Sequence, residues 1–210
     1  MRLTLIGATG TIGSAVLAQA LAAGHDMKVL VRDARKVTPA PGLAVVIGDA
    51  RDHADVARAV EGAEAVISVI GPRANEPDAV ALLETVAKNV VAAMRMSRVD
   101  RLLFVAGAGI ALPGERRTPT QRIAGFVVRR LARWVVLAKE RETEIYRTSG
   151  LAWTAVRPTR VHAGPPTGRA RVSPDRSAGF RVSSGDLATV IVRLVADRAA
   201  VGEAPFVSSG

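Results

Sequence analysis

The sequence predicts an α/β fold: a single domain spanning residues 1–210, built on a doubly wound, mostly parallel sheet of about seven strands in the order 3-2-1-4-5-6-7. Three observations carry that expectation. Short runs rich in Val, Ile and Leu alternate with helical stretches along nearly the whole chain, the pattern of a parallel sheet covered on both faces. The 210 residues suit one domain, and 49% of them are hydrophobic, enough to bury a sheet between two helical layers. The first strand-like run, Leu3 to Ile6, breaks into Gly7, Gly10 and Gly13, spaced three apart.

The elements follow in order. Strands are expected at about 2–6, 27–31, 43–47, 64–70, 101–106, 152–157 and 204–208. Helices are expected at about 11–23, 52–60, 77–97, 120–148 and 185–197. Between the first two strands, Ile12, Ala15, Val16, Ala20 and Leu21 fall on one helical face, and Gly24 supplies a C-terminal stop. Right-handed crossovers then place any ligand beyond the carboxyl ends of the strands. Two segments break the regular alternation, 107–119 after the fifth strand and a Pro/Gly/Arg-rich excursion at 158–181 after the sixth. Both are read as substrate-side loops, because long loops in a compact domain are usually functional or mobile.

The glycine spacing has a specific physics. Gly7 allows a sharp turn off the strand, Gly10 lets backbone approach a pyrophosphate, and Gly13 lets the next helix pack closely. The N–H groups and dipole of that helix then face the phosphates. At the end of the second strand, where a ribose-reading residue is expected, stands Arg32, followed by Asp33, Arg35 and Lys36. A guanidinium matches a ribose 2′-phosphate bidentately, so Arg32 and Lys36 point to NADP(H). Asp33 is the residue best placed to oppose it.

Composition removes several classes. The chain has no cysteine, which excludes disulfides, thiolate catalysis and Cys-based metal sites; no metal is expected. Lys and Arg number 29 against 19 Asp and Glu, an excess that suits nucleic acid, membrane surfaces or anionic ligands. Aromatics make up 3%, too few for base-stacking platforms, so nucleic acid is an unlikely partner. Apolar runs stay short of the roughly 18 residues a membrane span requires. The chain enters a strand at once, with no signal-peptide pattern, so a cytoplasmic protein is expected.

Taken together, Gly-Ala-Thr-Gly-Thr-Ile-Gly (7–13), Val-Leu-Val-Arg-Asp (29–33), Gly-Asp-Ala (48–50), Val-Ile-Gly-Pro-Arg (69–73), Ser-Gly-Leu-Ala-Trp-Thr-Ala-Val-Arg-Pro (149–158) and Val-Ser-Ser-Gly-Asp-Leu-Ala (182–188) resemble the atypical short-chain dehydrogenase/reductases. Within that group the chain is similar to biliverdin-IXβ/flavin reductases and NmrA-like proteins. The resemblance spans nearly the whole length and implies a Rossmann fold with NADP(H). It implies that Gly7, Thr9, Gly10, Thr11, Ile12 and Gly13 form the phosphate turn. It implies that Asp49 accepts from the adenine amino group while Ala50 donates from its backbone. It further places Gly71 near the ribose and diphosphate, Arg73 near the phosphates, and Ala106 at the cofactor. Capping of the helix near residue 52 stays open as a second role for Asp49.

The catalytic half departs from the family pattern. Lys139 matches the lysine that holds the nicotinamide ribose, but Val135 stands where the proton-donating tyrosine belongs, and Gly107 replaces the serine. An exposed lysine paired with Glu142 or Thr143 is the other reading of Lys139. Tyr146, the single tyrosine, is expected to pack, about two helical faces from position 135. His162, after Arg160, is the candidate proton donor on the second loop. Hydride transfer to a planar acceptor such as a flavin, quinone or tetrapyrrole, without a Tyr donor, is the leading expectation. A non-catalytic NADPH-binding sensor acting through a partner is the alternative.

Residues 115–133 interleave Arg116, Arg117, Arg122, Arg129, Arg130 and Arg133 with Ile123, Phe126, Val127, Val128 and Leu131, ahead of Trp134. Three readings stay open for this basic helix. It is a lid selecting an anionic acceptor, a docking face for a protein or acidic membrane, or a core helix with a solvated Arg face.

Overall fold

The computed structural model describes residues 1–72, 74–110, 112, 115 and 119–209, with the backbone alone for 119–124. Arg73, Arg116, Arg117, part of the 107–119 loop and the side chains of Arg122 and Ile123 therefore lie outside the described residues.

The amino-terminal half alternates as expected: β1 (Arg2–Ile6), α1 (Thr11–Ala22), β2 (Asp26–Val31), β3 (Leu43–Ile47), α2 (His53–Val60), β4 (Ala65–Ser68), α3 (Asp78–Met96) and β5 (Arg101–Val105). Then come α4 (Pro119–Leu131), α5 (Arg133–Arg147), β6 (Ala152–Pro158), β7 (Arg160–His162), β8 (Ala170–Ser173), β9 (Arg181–Ser183), α6 (Ser184–Ala196) and β10 (Phe206–Ser209). The sheet order is β3-β2-β1-β4-β5-β6-β10-β9-β7, with β8 pairing β10. From β3 to β6, and from β6 to β10, every pairing is parallel. The strand expected at 204–208 is β10 and lies beside β6, so the anticipated order holds. The strand count does not: ten strands form among the described residues where about seven are expected.

The three additional strands lie in the excursion at 158–181 and just beyond it, where an irregular loop is expected. β7 pairs parallel with β9, and β8 pairs antiparallel with β10. Strands of three or four residues carry too few alternations to show a period of two. They exist because β10 offers them an edge.

The helix expected over 120–148 is two helices. It breaks at Ala132 (φ −130°, ψ 46°). Asn75, remote in sequence, accepts from the N–H groups of Trp134 and Val135 and donates to the Leu131 carbonyl, so it caps both sides of the break.

Two apolar layers flank the sheet. One joins it to α1 and α6 through Val16, Ala20, Leu187 and Ile191. The other joins it to α2, α3 and α5 through Val56, Val86, Val90 and Val136. Arg101 is fully buried, and its guanidinium donates to the carbonyls of Leu194, Val195 and Ala152 and to Thr154 Oγ1. It thus closes the carboxyl end of α6, where free carbonyls collect.

The excursion is fastened to the start of α6. A Cβ on Gly185 would lie 2.3 Å from the Pro166 nitrogen, so that turn of the helix touches bare backbone. Next to it, Asp186 accepts from Thr167 N (2.7 Å), Thr167 Oγ1 (2.6 Å), Gly168 N (2.9 Å) and Ser209 Oγ (3.3 Å).

Candidate functional site

A cleft of about 420 Å³ opens at the carboxyl ends of β1 to β4, on both sides of the point where strand order reverses. Gly7, Thr9, Gly10, Arg32, Asp49, Ala50 and Gly71 all line it. A larger hollow, about 530 Å³, lies at the opposite edge of β1 to β3 and has neither the glycine turn nor a helix N-terminus.

The phosphate turn is built by exclusion of side chains. Gly7 has φ +97°, a conformation costly for any residue with a Cβ. A Cβ on Gly13 would sit 2.0 Å from the Gly7 carbonyl oxygen, so α1 rests directly on the turn. Gly10 differs: a Cβ there meets nothing closer than 3.6 Å, because the position faces the open cleft. As N-cap, Gly10 brings no side chain to the first N–H groups of α1, those of Thr11, Ile12 and Gly13. The helix end is therefore left for an anion.

Charge around the ribose position is arranged around Arg32. Its side chain is exposed and makes no hydrogen bond or ion pair with the described residues, so its donor edge is free. Asp33 is instead held by the Arg35 fork at 3.0 Å through both oxygens, and those bonds keep its carboxyl below the usual carboxylate range. The carboxylate that would oppose a phosphate is neutralised by its own neighbour. Lys36, on the short turn after β2, is exposed and does not line the cleft.

Asp49 does not cap α2; that role belongs to Asp52, which accepts from Ala54 N and Asp55 N. Asp49 instead accepts from Arg51 through its backbone N–H (2.9 Å), Nε (3.1 Å) and Nη2 (2.7 Å), and the Arg51 side chain is the main cause of its lowered pKa. Arg51 also lines the cleft, as do Leu82 and Val86 of α3. The sequence reading passed over Arg51, although a base two residues from Asp49 was the available signal.

The residues expected beyond the cleft, toward an acceptor, are placed differently. Ala106 is buried beyond β5, donates to the Val156 carbonyl, and stays outside the cleft lining. His162 is exposed on β7. Lys139 is buried rather than solvated, and its three donors are all spent: on the Ile70 carbonyl (2.6 Å), the Val105 carbonyl (2.8 Å) and Glu142 Oε2 (2.7 Å). It is a strut between the ends of β4 and β5. Glu142 is wholly buried, which pushes its pKa up against the pull of the Lys139 ammonium. Its spacing of three from Lys139 on a helix was the legible signal for that pair.

Tyr146 does not sit two helical faces from position 135. Eleven residues at 100° return to within about 20° of the same direction, and Tyr146 shares the buried face of α5 with Lys139 and Glu142. It is a packing residue nonetheless. Its ring lies 4.7 Å from that of Phe104, and burial pushes its phenol pKa well above the usual value. Val135 is half-buried and Gly107, with φ +120°, replaces the serine, so the usual proton-donating pair is missing.

A parallel sheet with a switch in strand order, a glycine turn and an uncapped helix N-terminus at its carboxyl edge define a Rossmann-type dinucleotide-binding protein. The sequence profile described as NAD(P)H-binding matches residues 7–198, and the chain belongs to that family. An uncharacterised chloroplastic protein of Arabidopsis thaliana is 29% identical over 181 residues, covering 80% of this chain and 62% of that one. A phenylcoumaran benzylic ether reductase of Ginkgo biloba is 34% identical over 80 residues, so this chain matches 26% of that enzyme's length and gives 33% of its own. Among solved structures, a short-chain dehydrogenase/reductase of Veillonella parvula in complex with NADP superposes with TM-score 0.79 at 20% identity, over 99% of this chain and 94% of that one. The anaerobilin reductase ChuY of Escherichia coli O157:H7 gives 0.79 at 20%, over 100% and 97%. At such identities these two show a shared fold.

Proposed function

We propose that this protein is an NADPH-dependent oxidoreductase that reduces a planar acceptor, such as a flavin, quinone or tetrapyrrole, without a tyrosine proton donor. One observation supports this most: a cleft lined by Gly7, Gly10, Arg32 and Asp49 occurs in a chain that carries Val135 and Gly107 where the usual hydroxyl donors are expected. Bound NADPH supplies a hydride, and water supplies the proton, so the acceptor gains two electrons and the cofactor leaves oxidised. Gly7, Gly10 and the start of α1 would hold the diphosphate. Arg32 would hold the 2′-phosphate, and Asp49, in its fork with Arg51, would face the adenine. Lys139 would act from below, fixing the strand ends that bracket the nicotinamide. The named tetrapyrrole reductase among the structural neighbours is in keeping with this reading.

NADPH oxidation measured with a panel of flavins, quinones and bilins tests the reading. Turnover above the uncatalysed rate with at least one is expected. Tight NADPH binding with no turnover on any would replace it with a cofactor-binding sensor, a reading favoured by the fact that every donor of Lys139 is already taken.

A further inference from the structure

Two segments follow the carboxyl ends of β5 and β6, and both carry apolar side chains into water. One is α4, reached from the end of β5, where Leu131 is 75% and Phe126 71% exposed, with Val127 and Val128 also open. The other leads into β9, where Phe180 is 96% exposed beside the start of β7 and its carbonyl accepts from the Arg160 N–H. Arginines interleave with both. Arg129, Arg130 and Arg133 are exposed on or beside α4, and Arg160, Arg176 and Arg181 are exposed around Phe180. Glu140, which pairs with Arg129, is the acid nearest in sequence to the first group, and Asp175 and Asp186 are the nearest to the second.

Exposed aromatic and aliphatic side chains set among arginines match a partner that offers phosphate and hydrocarbon at one depth. An anionic lipid surface does so. A second copy of this chain would bring a like charge of +10 to the contact. We propose that these two segments dock on an anionic lipid surface, and that the acceptor is a quinone dissolved in that lipid. The docking stands on the exposed residues alone; the quinone rests on the reductase reading above.

The test is sedimentation of the full chain with phosphatidylglycerol/phosphatidylcholine vesicles and with phosphatidylcholine vesicles. Binding to the first, weakened by salt, is expected. Phe126→Ser with Leu131→Ser, and separately Phe180→Ser, should each lower it about tenfold or more, while NADPH affinity, unchanged, shows the variants folded. Docking is overturned by failure to sediment with anionic vesicles, by binding that ignores these variants, or by a dimer or an acidic protein partner that uses the same residues instead. NADPH oxidation is then followed with a long-chain quinone in the vesicles and with a water-soluble quinone. Turnover of the lipid quinone is expected. Turnover of the soluble one alone overturns the acceptor assignment, and turnover of neither overturns the reductase reading while vesicle binding is judged separately.

Discussion

Gly10 and Gly13 are the same amino acid answering to different neighbours. At Gly13 an added methyl would overlap the Gly7 carbonyl at 2.0 Å, so Gly13→Val should damage the fold itself, seen as a clear loss of thermal stability. At Gly10 the added side chain meets only open cleft, and φ is an ordinary −86°. Gly10→Val should therefore melt like wild type and fail to bind NADPH or NADH in a titration. Arg32 gives the sharper test of cofactor choice. Its free edge would make one charge-assisted bidentate contact, about 1.5–3 kcal/mol. Arg32→Ala should weaken NADPH binding by roughly ten- to a hundredfold and leave NADH nearly unchanged; equal losses would assign Arg32 elsewhere. At this scale the sequence was readable where chemistry is local, as in the glycine turn. It was not readable where one side chain answers another. The Arg35 fork on Asp33 and the Arg51 fork on Asp49 are rotamer choices, and spacing permits them without requiring them.

Among the elements, α5 carries an ion pair inside the protein, and its cost is measurable. Lys139→Met would strand Glu142 without its partner in a fully buried site, which should cost about 3–5 kcal/mol in urea unfolding. Lys139→Met with Glu142→Leu should recover most of that, and NADPH affinity in the double variant would then report what the strut does for the cleft. Recovery of stability without recovery of binding would tie the strand ends to cofactor geometry. Asp186 gives an element a pH dependence. Burial raises its pKa, but the bonds that its carboxylate accepts from Thr167 and Gly168 outweigh that and leave it below its ordinary value. A carboxyl depressed in the folded state contributes fully above its unfolded value, and the contribution is lost as pH falls through the folded one. Asp186→Asn should therefore be less stable than wild type at neutral pH, and the gap should close as pH drops below about 4; a constant gap would refute the assignment. The elements that sequence missed share a cause. The break at Ala132 depends on Asn75, and β7 to β9 depend on the edge offered by β10, so neither leaves a periodic trace in its own segment.

Over the whole molecule, alternation of strands and helices was enough to give the order of the parallel strands, because crossover handedness leaves few other arrangements. The carboxyl-terminal half was read less fully, since β7 to β9 are short and its arginines serve several ends. Among the described residues no helix is long and apolar enough to cross a membrane. One feature of the fold bears on how such a protein changes over time. The excursion at 158–181 lies on Gly185 and is tied to Asp186, both in the first turn of α6. That turn belongs to the scaffold. A loop transplanted from a relative would meet a helix shaped for another neighbour, and a scaffold lacking these two residues would not seat this loop. Change in this loop therefore has to come by substitution within it, or by altering the loop and residues 185 and 186 together, and not by exchanging it as a cassette.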